Sequence, residues 1–202
     1  MGNESNNEES LDFHVAQLNE AFEALKGGAG KDYQAAKLHA PDLVEIESNP
    51  LRYLKFHEYD YKAAALSVSR YWEHRRFIFG EQSYQPVTDL GGTGALQGDE
   101  LCLLQSGFIS LLPSDIGGSP ILCFDDSRVS KCSNVSVSLL HRMRCFFYWM
   151  QMASMNDQAA ESGVVHIRIL GAVRSLRSDF SRNLALMEER WPELQFRATR
   201  EH

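Results

Sequence analysis

Asp125 and Asp126 are the two residues of this 202-residue chain best placed for chemistry. They follow the apolar run Pro120–Phe124, and the carboxyl ends of strands are where α/β folds set their ligands and catalytic groups. A carboxylate there can hold a metal or act as a nucleophile. A haloacid-dehalogenase-like phosphatase, however, needs a second Asp two residues on, and Ser127 stands there. No second acidic cluster completes a magnesium site. The seven histidines (His14, His39, His57, His74, His141, His166, His202) show no HxxxH spacing. A nucleophile-elbow GxSxG is missing too.

Two glycine clusters invite phosphate binding and fail on spacing. Gly27-Gly28-Ala29-Gly30-Lys31 has Leu25 where a phosphate loop needs Gly, and Asp32 where it needs Ser or Thr for magnesium. It also follows a helical pattern rather than a strand. In Gly91-Gly92-Thr93-Gly94, counting from Gly92 puts Gln97 where a dinucleotide fingerprint needs its last Gly. Both read as loops. No catalytic residue, metal site or cofactor is expected, and a phosphatase-like hydrolase using Asp125 and Asp126 is the lesser alternative.

The elements around these residues follow from periodicity. Val15, Leu18, Phe22 and Leu25 make a helical stripe over Leu11–Lys26. Lys31–Ser48 is cut by Pro41, and two short helices or a helix plus loop fit equally. Pro50 suits a first helical turn. Asp60 can cap a helix that carries Ala64, Val68, Tyr71, Trp72, Arg75 and Phe79 on one side and stops at Gly80. After a Gly-, Gln- and Thr-rich connection, Asp99–Gln105 supplies a helical turn or two. Phe108–Leu112 and Pro120–Phe124 are short apolar runs around SDIGGS, a turn composition. Asn134–Met155 reads as a long helix and Gly163–Leu170 as a β-branched strand. A last helix capped by Ser178 and a strand over Leu194–Thr199 complete the series.

Strand, helix, strand, helix, strand implies parallel pairs with crossovers, hence α/β. The expected architecture is a helical N-terminal subdomain packed on a partial mixed or parallel sheet with crossover helices. Its parts are an acidic disordered tail at 1–10, the helical subdomain at 11–80, a linker at 81–98 and an α/β region at 99–202. Residues 1–60 carry 12 acidic and 5 basic side chains, and residues 61–202 carry 15 of each. The globular part therefore has no net basic field, and no nucleic-acid partner is expected. Cys102, Cys123, Cys132 and Cys145 show no CxxC spacing, and no signal peptide precedes them, which suits reduced thiols in a cytoplasmic setting. No apolar run approaches the roughly 18 residues of a membrane span.

The stretch LRYLKFHEYDYKAAALSVSRYWEHRR, Leu51–Arg76, resembles the N-terminal segment of the CRAL-TRIO lipid-binding family. That family includes phosphatidylinositol, tocopherol and retinaldehyde carriers. GFISLLPSDIGGSPILCFDDSR (107–128) is similar to its strand, turn, strand, Asp-x-Ser-Arg passage, and GVVHIRIL with the following helix extends the likeness to roughly residues 48–200. The resemblance implies a non-catalytic protein that takes up a lipid or other hydrophobic small molecule, with the sheet flooring an apolar pocket. The candidate walls are Ile121, Cys123, Phe146, Met150, Val165, Ile167 and Ile169. A transient contact with a membrane surface is implied as well.

Two departures stand out. The family's basic R-A-R-K step reads Lys55-Phe56-His57-Glu58 here, and Glu58 would repel a phosphate. The family's domain also continues past the position matching Thr199, so the lipid-binding region is expected to be incomplete. A protein partner or a homodimer covering the apolar surface left exposed is the companion expectation.

Overall fold

The structure, a computed structural model, describes residues 4–25, 28–131, 137–155, 163–169 and 196–197. The chain divides into two compact units, 1–86 and 87–202, and the division falls inside the connection at 81–98. That connection is partly structured: Gly80–Tyr84 forms a 3-10 turn, and Val87, Ala95 and Leu96 are wholly buried.

The first unit is helical: α1 (Glu4–Ala24), α2 (Lys31–His39), α3 (Pro41–Ser48), α4 (Pro50–Phe56) and α5 (Tyr61–Phe79). Local chemistry sets each boundary. Pro41 and Pro50 occupy first turns, where a missing N–H costs nothing. The Asn49 side chain accepts from Leu51 N at 2.9 Å. Asp60 Oδ1 accepts from Lys62 N and Ala63 N, each at 3.0 Å, and Gly80 closes α5 with φ 58°. The ambiguous stretch Lys31–Ser48 is thus two helices meeting at Ala40. Helix α1 starts at Glu4, within the segment expected to be disordered. Once the Leu11–Leu25 stripe nucleates a helix, each further residue adds a hydrogen bond at little cost.

Helix α5 is the hub and packs against α1, α2 and α4. Around it Leu18, Phe22, Tyr33, Ala36, Leu54, Val68 and Trp72 form the core, with the Phe22 and Tyr33 rings stacked at 4.2 Å. Arg75 lies in the same buried stripe with no exposed surface. Its Nη1 donates to Glu47 of α3 and, at 2.6 Å, to the Tyr71 hydroxyl. Its Nε and Nη2 donate to the carbonyls of Ser83 (2.7 Å) and Gln85 (2.6 Å). The guanidinium also sits 4.9 Å from the Trp72 ring centroid, while Trp72 Nε1 donates to Ser48 Oγ at 2.9 Å. Burial alone would depress the Arg75 pKa; Tyr71 and Glu47 outweigh it and hold the group above its usual value. Burial pushes the Tyr71 phenol up to about 12.

The link between α4 and α5 carries strain. Glu58 (φ 51°) and the following Tyr59 (φ 67°) both occupy the left-handed region, where a Cβ crowds the next carbonyl. Glu58 is exposed. Replacing Glu58 with Gly should therefore stabilise the protein by about 1 kcal/mol, measurable as a raised urea midpoint at constant slope.

The second unit is α/β. It comprises α6 (Gly98–Gln105), β1 (Ile109–Leu112), β2 (Ile121–Asp125), α7 (Leu139–Ser154), β3 (Val164–Ile169) and β4 (Phe196–Arg197). The sheet order is β1-β2-β3-β4, with β1 antiparallel to β2 and the other pairs parallel. The α/β expectation holds, the strand-helix-strand passage β2-α7-β3 being the crossover that the alternating pattern implied. Helix α7 starts at Leu139 rather than Asn134 because Ser138 caps it: its Oγ accepts from His141 N at 3.2 Å, and His141 Nδ1 accepts from Ser138 N at 3.3 Å. Helix α6 is tied to α7 by Arg144 Nη1 donating to Glu100 Oε1 at 2.6 Å. The helix expected after Ser178 lies outside the described residues. Among the described residues no helix is long and apolar enough to cross a membrane.

Candidate functional site

Strand alternation divides the sheet into two unlike faces. Leu122 pairs with His166 and Phe124 with Arg168, so these four side chains share one face. Helix α7 covers it. The Phe146 ring lies 5.8 Å from Phe124 and 5.9 Å from His166, and Phe124 lies 5.5 Å from His166. Leu122, Phe124 and Phe146 are buried, as is Met150 one turn on.

The other face carries Leu112 of β1, Ile121 and Cys123 of β2, and Val165, Ile167 and Ile169 of β3. Register places Leu112 opposite Ile121, Ile121 beside Val165, and Cys123 beside Ile167. Apolar residues at these alternate positions would normally be covered. Here Ile167 is 43% and Ile169 49% exposed, Leu112 is exposed, and Ile121, Cys123 and Val165 are half-buried. Cys123 is a free thiol in the middle of this face.

The seven candidate wall residues therefore separate. Ile121, Cys123, Val165, Ile167 and Ile169 share the accessible face. Phe146 and Met150 belong to α7, whose Phe146 packs on the opposite one. One common cavity between sheet and α7 is not what the seven residues line. Sequence periodicity assigned each residue to an apolar face of its own element, but strand parity relative to the crossover helix decides which sheet face each one joins. Leu112 was missed as a sixth member. The signal for it was its place in the apolar run Phe108–Leu112, readable only once the register with Ile121 is known.

Asp125 and Asp126, the residues that first suggested chemistry, are held by guanidinium groups. Asp125 Oδ1 accepts from Ser127 N (3.1 Å) and Ser127 Oγ (2.5 Å), and Oδ2 accepts from Arg128 Nε (2.8 Å). The Ser127 hydroxyl, with Arg128 beside it, holds the Asp125 carboxyl below the usual carboxylate range. Asp126 Oδ2 accepts from Arg168 Nε (3.0 Å) and Nη2 (2.6 Å), and its Oδ1 lies 3.8 Å from Arg142 Nη1. The Asp-x-Ser-Arg passage is thus a local turn ending β2. Gly107 makes room for it: with φ 75°, a Cβ there would come within 2.7 Å of Arg128 Nη1. Among the described residues no cluster of three His, Cys, Asp or Glu could hold a metal.

His166 sits between the Phe124 and Phe146 rings, and burial lowers its imidazole pKa to about 4. A group whose pKa is depressed in the folded state contributes stability above its unfolded value, near 6.5, and that contribution disappears as pH falls toward 4. The effect should reach about 3 kcal/mol at full protonation. Urea titrations of the wild type and of His166→Leu should diverge in slope of stability against pH between pH 6.5 and 4, the wild type alone losing this component.

Against models of known protein families and against curated proteins, the chain finds no match.

Proposed function

We propose that this protein binds a hydrophobic small molecule or the acyl part of a lipid on the accessible sheet face, without transforming it. The single observation behind this reading is the concentration of Leu112, Ile121, Cys123, Val165, Ile167 and Ile169 on one face that retains exposed surface. Leaving such a surface in water is costly. Each buried CH₂ is worth about 0.8 kcal/mol, so an acyl chain of some fifteen carbons represents about 12 kcal/mol of transfer energy. A face of branched aliphatic residues offers apolar contact to such a chain. The resemblance of Leu51–Arg76 and 107–128 to a family of lipid carriers supports the same function. Both carboxylates at the end of β2 are engaged by arginines, so the residues most suited to catalysis serve the turn instead.

The protein would work in an aqueous compartment, cytoplasmic by the reading of its cysteines. Extraction of the purified protein with organic solvent followed by mass spectrometry should find a stoichiometric lipid or apolar metabolite. A thiol-reactive environment-sensitive dye on Cys123 should shift its emission when that compound is returned. An empty extract together with an unresponsive dye would remove the reading.

A second reading rests on the same face: a partner protein, or a second copy of the chain, covers it. It predicts that apparent mass rises with concentration and that Ile167→Asp makes the protein monomeric. Sedimentation over a range of micromolar concentrations separates the two.

A further inference from the structure

The accessible apolar face ends on a charged pair. Register sets Asp125, the last residue of β2, beside Ile169, the last of β3, and this position shares the face of Cys123 and Ile167. The Asp125 side chain is only 15% exposed, its oxygens taken by Ser127 and by Arg128 Nε. Arg128 is the open member of the pair, with its side chain 46% exposed. Among the described residues, Nε is the one side-chain nitrogen of Arg128 that donates a hydrogen bond. The N–H groups of Nη1 and Nη2 have no protein acceptor there. Asp125 on one side and Gly107, which has no Cβ, on the other hold the guanidinium in place.

The surroundings favour an anion. Arg128, Arg142 and Arg168 face Asp125 and Asp126, so this set of side chains at the carboxyl ends of β2 and β3 keeps one positive charge. An exposed arginine alone is merely solvated. Here the unengaged N–H groups border a strip of aliphatic side chains, apolar along its length and cationic at one end. A hydrocarbon or an alcohol would leave that end unused, and a cationic amphiphile would be repelled by it. A carboxylate matches the guanidinium fork with charge-assisted hydrogen bonds, and its single charge suits the single surplus. The strip also has a length. The five residues of β2 advance about 13 Å from first to last at strand geometry. With C–C bonds near 1.5 Å, an extended chain of about ten carbons covers that distance.

Given the proposed use of this face for a hydrophobic ligand, on which the assignment rests, we infer that the ligand is a medium-chain fatty carboxylate. Its head lies on Arg128, and its tail runs back over Ile169, Cys123 and Ile167 toward Leu112. Arg128 thus sets both the head group and the direction of the chain.

The test is calorimetric titration of the full chain with decanoate, decanol and decyl phosphate, each below its micelle concentration. The wild type should bind decanoate about tenfold tighter than decanol, the difference a charge-assisted pair supplies. Arg128→Gln should bring decanoate down to the level of decanol. Its affinity for decanol should stay at the wild-type value, which also shows that the variant is folded. Arg128→Lys should keep part of the preference for decanoate. Added salt should narrow that preference in the wild type, a readout that needs no variant. A wild type that binds decanoate no better than decanol overturns the carboxylate assignment and leaves the apolar face as a ligand surface. Arg128→Gln that keeps the preference does the same. Tighter binding of decyl phosphate than of decanoate overturns it in favour of a phosphate head. Binding of neither decanoate nor decanol overturns the assignment and the ligand reading together.

Discussion

Arg75→Ala should lower the unfolding free energy of the protein by about 3–5 kcal/mol, the range found when one partner of a buried ion pair is removed. The cause is what the substitution leaves behind. Glu47 would remain buried as an uncompensated charge, and the carbonyls of Ser83 and Gln85 and the Tyr71 hydroxyl would lose donors. The packing of the guanidinium on Trp72 would go as well. Urea unfolding followed by tryptophan emission should register the change, because Trp72 lies against the altered group. The double variant Glu47→Leu/Arg75→Met should recover much of the loss, since replacing both charges with apolar groups is often neutral or better. If Arg75→Ala shifts the transition by less than about 1 kcal/mol, the buried network contributes little and this account of the first unit fails.

The second large effect separates the core from the proposed ligand surface. Phe146→Ala should cost about 3–5 kcal/mol by leaving a cavity against Phe124 and His166. Ile167→Asp should change stability by no more than about 1 kcal/mol, because the side chain is already 43% exposed. Under the proposed function its effect falls on binding: a carboxylate in the middle of the apolar face should weaken ligand affinity at least tenfold. Thermal or urea unfolding, run alongside the Cys123-dye titration, reads both quantities on the same preparations. Strong destabilisation by Ile167→Asp would mean that the face is core after all. Undiminished affinity would mean that the ligand sits elsewhere.

Much of the helical unit was legible because its boundaries are written in local chemistry. Asp60 and Gly80 announce the ends of α5 and Pro50 the start of α4, while Pro41 left two helices or a helix plus loop open over Lys31–Ser48. The strands were legible to within a residue or two through their apolar runs and flanking turns. Two things were not. The Glu47–Arg75 pair joins residues far apart in the chain, although an arginine in phase with Val68, Trp72 and Phe79 was itself a sign that a partner must be buried nearby. The separation of Phe146 and Met150 from the five strand residues depends on register and on the side taken by α7. Neither is encoded in the spacing of any one element, so the seven apolar residues fall on two different surfaces.

The order of the strands has one more consequence. Outermost of the described strands, β1 has a ladder edge that no other described strand pairs, which in an apolar strand is an invitation to fibrils. Its defence is brevity: four residues, stopped by Pro113. Pro113→Val, by letting the ladder lengthen past Leu112, should raise thioflavin-positive aggregation while leaving the fold of the monomer intact.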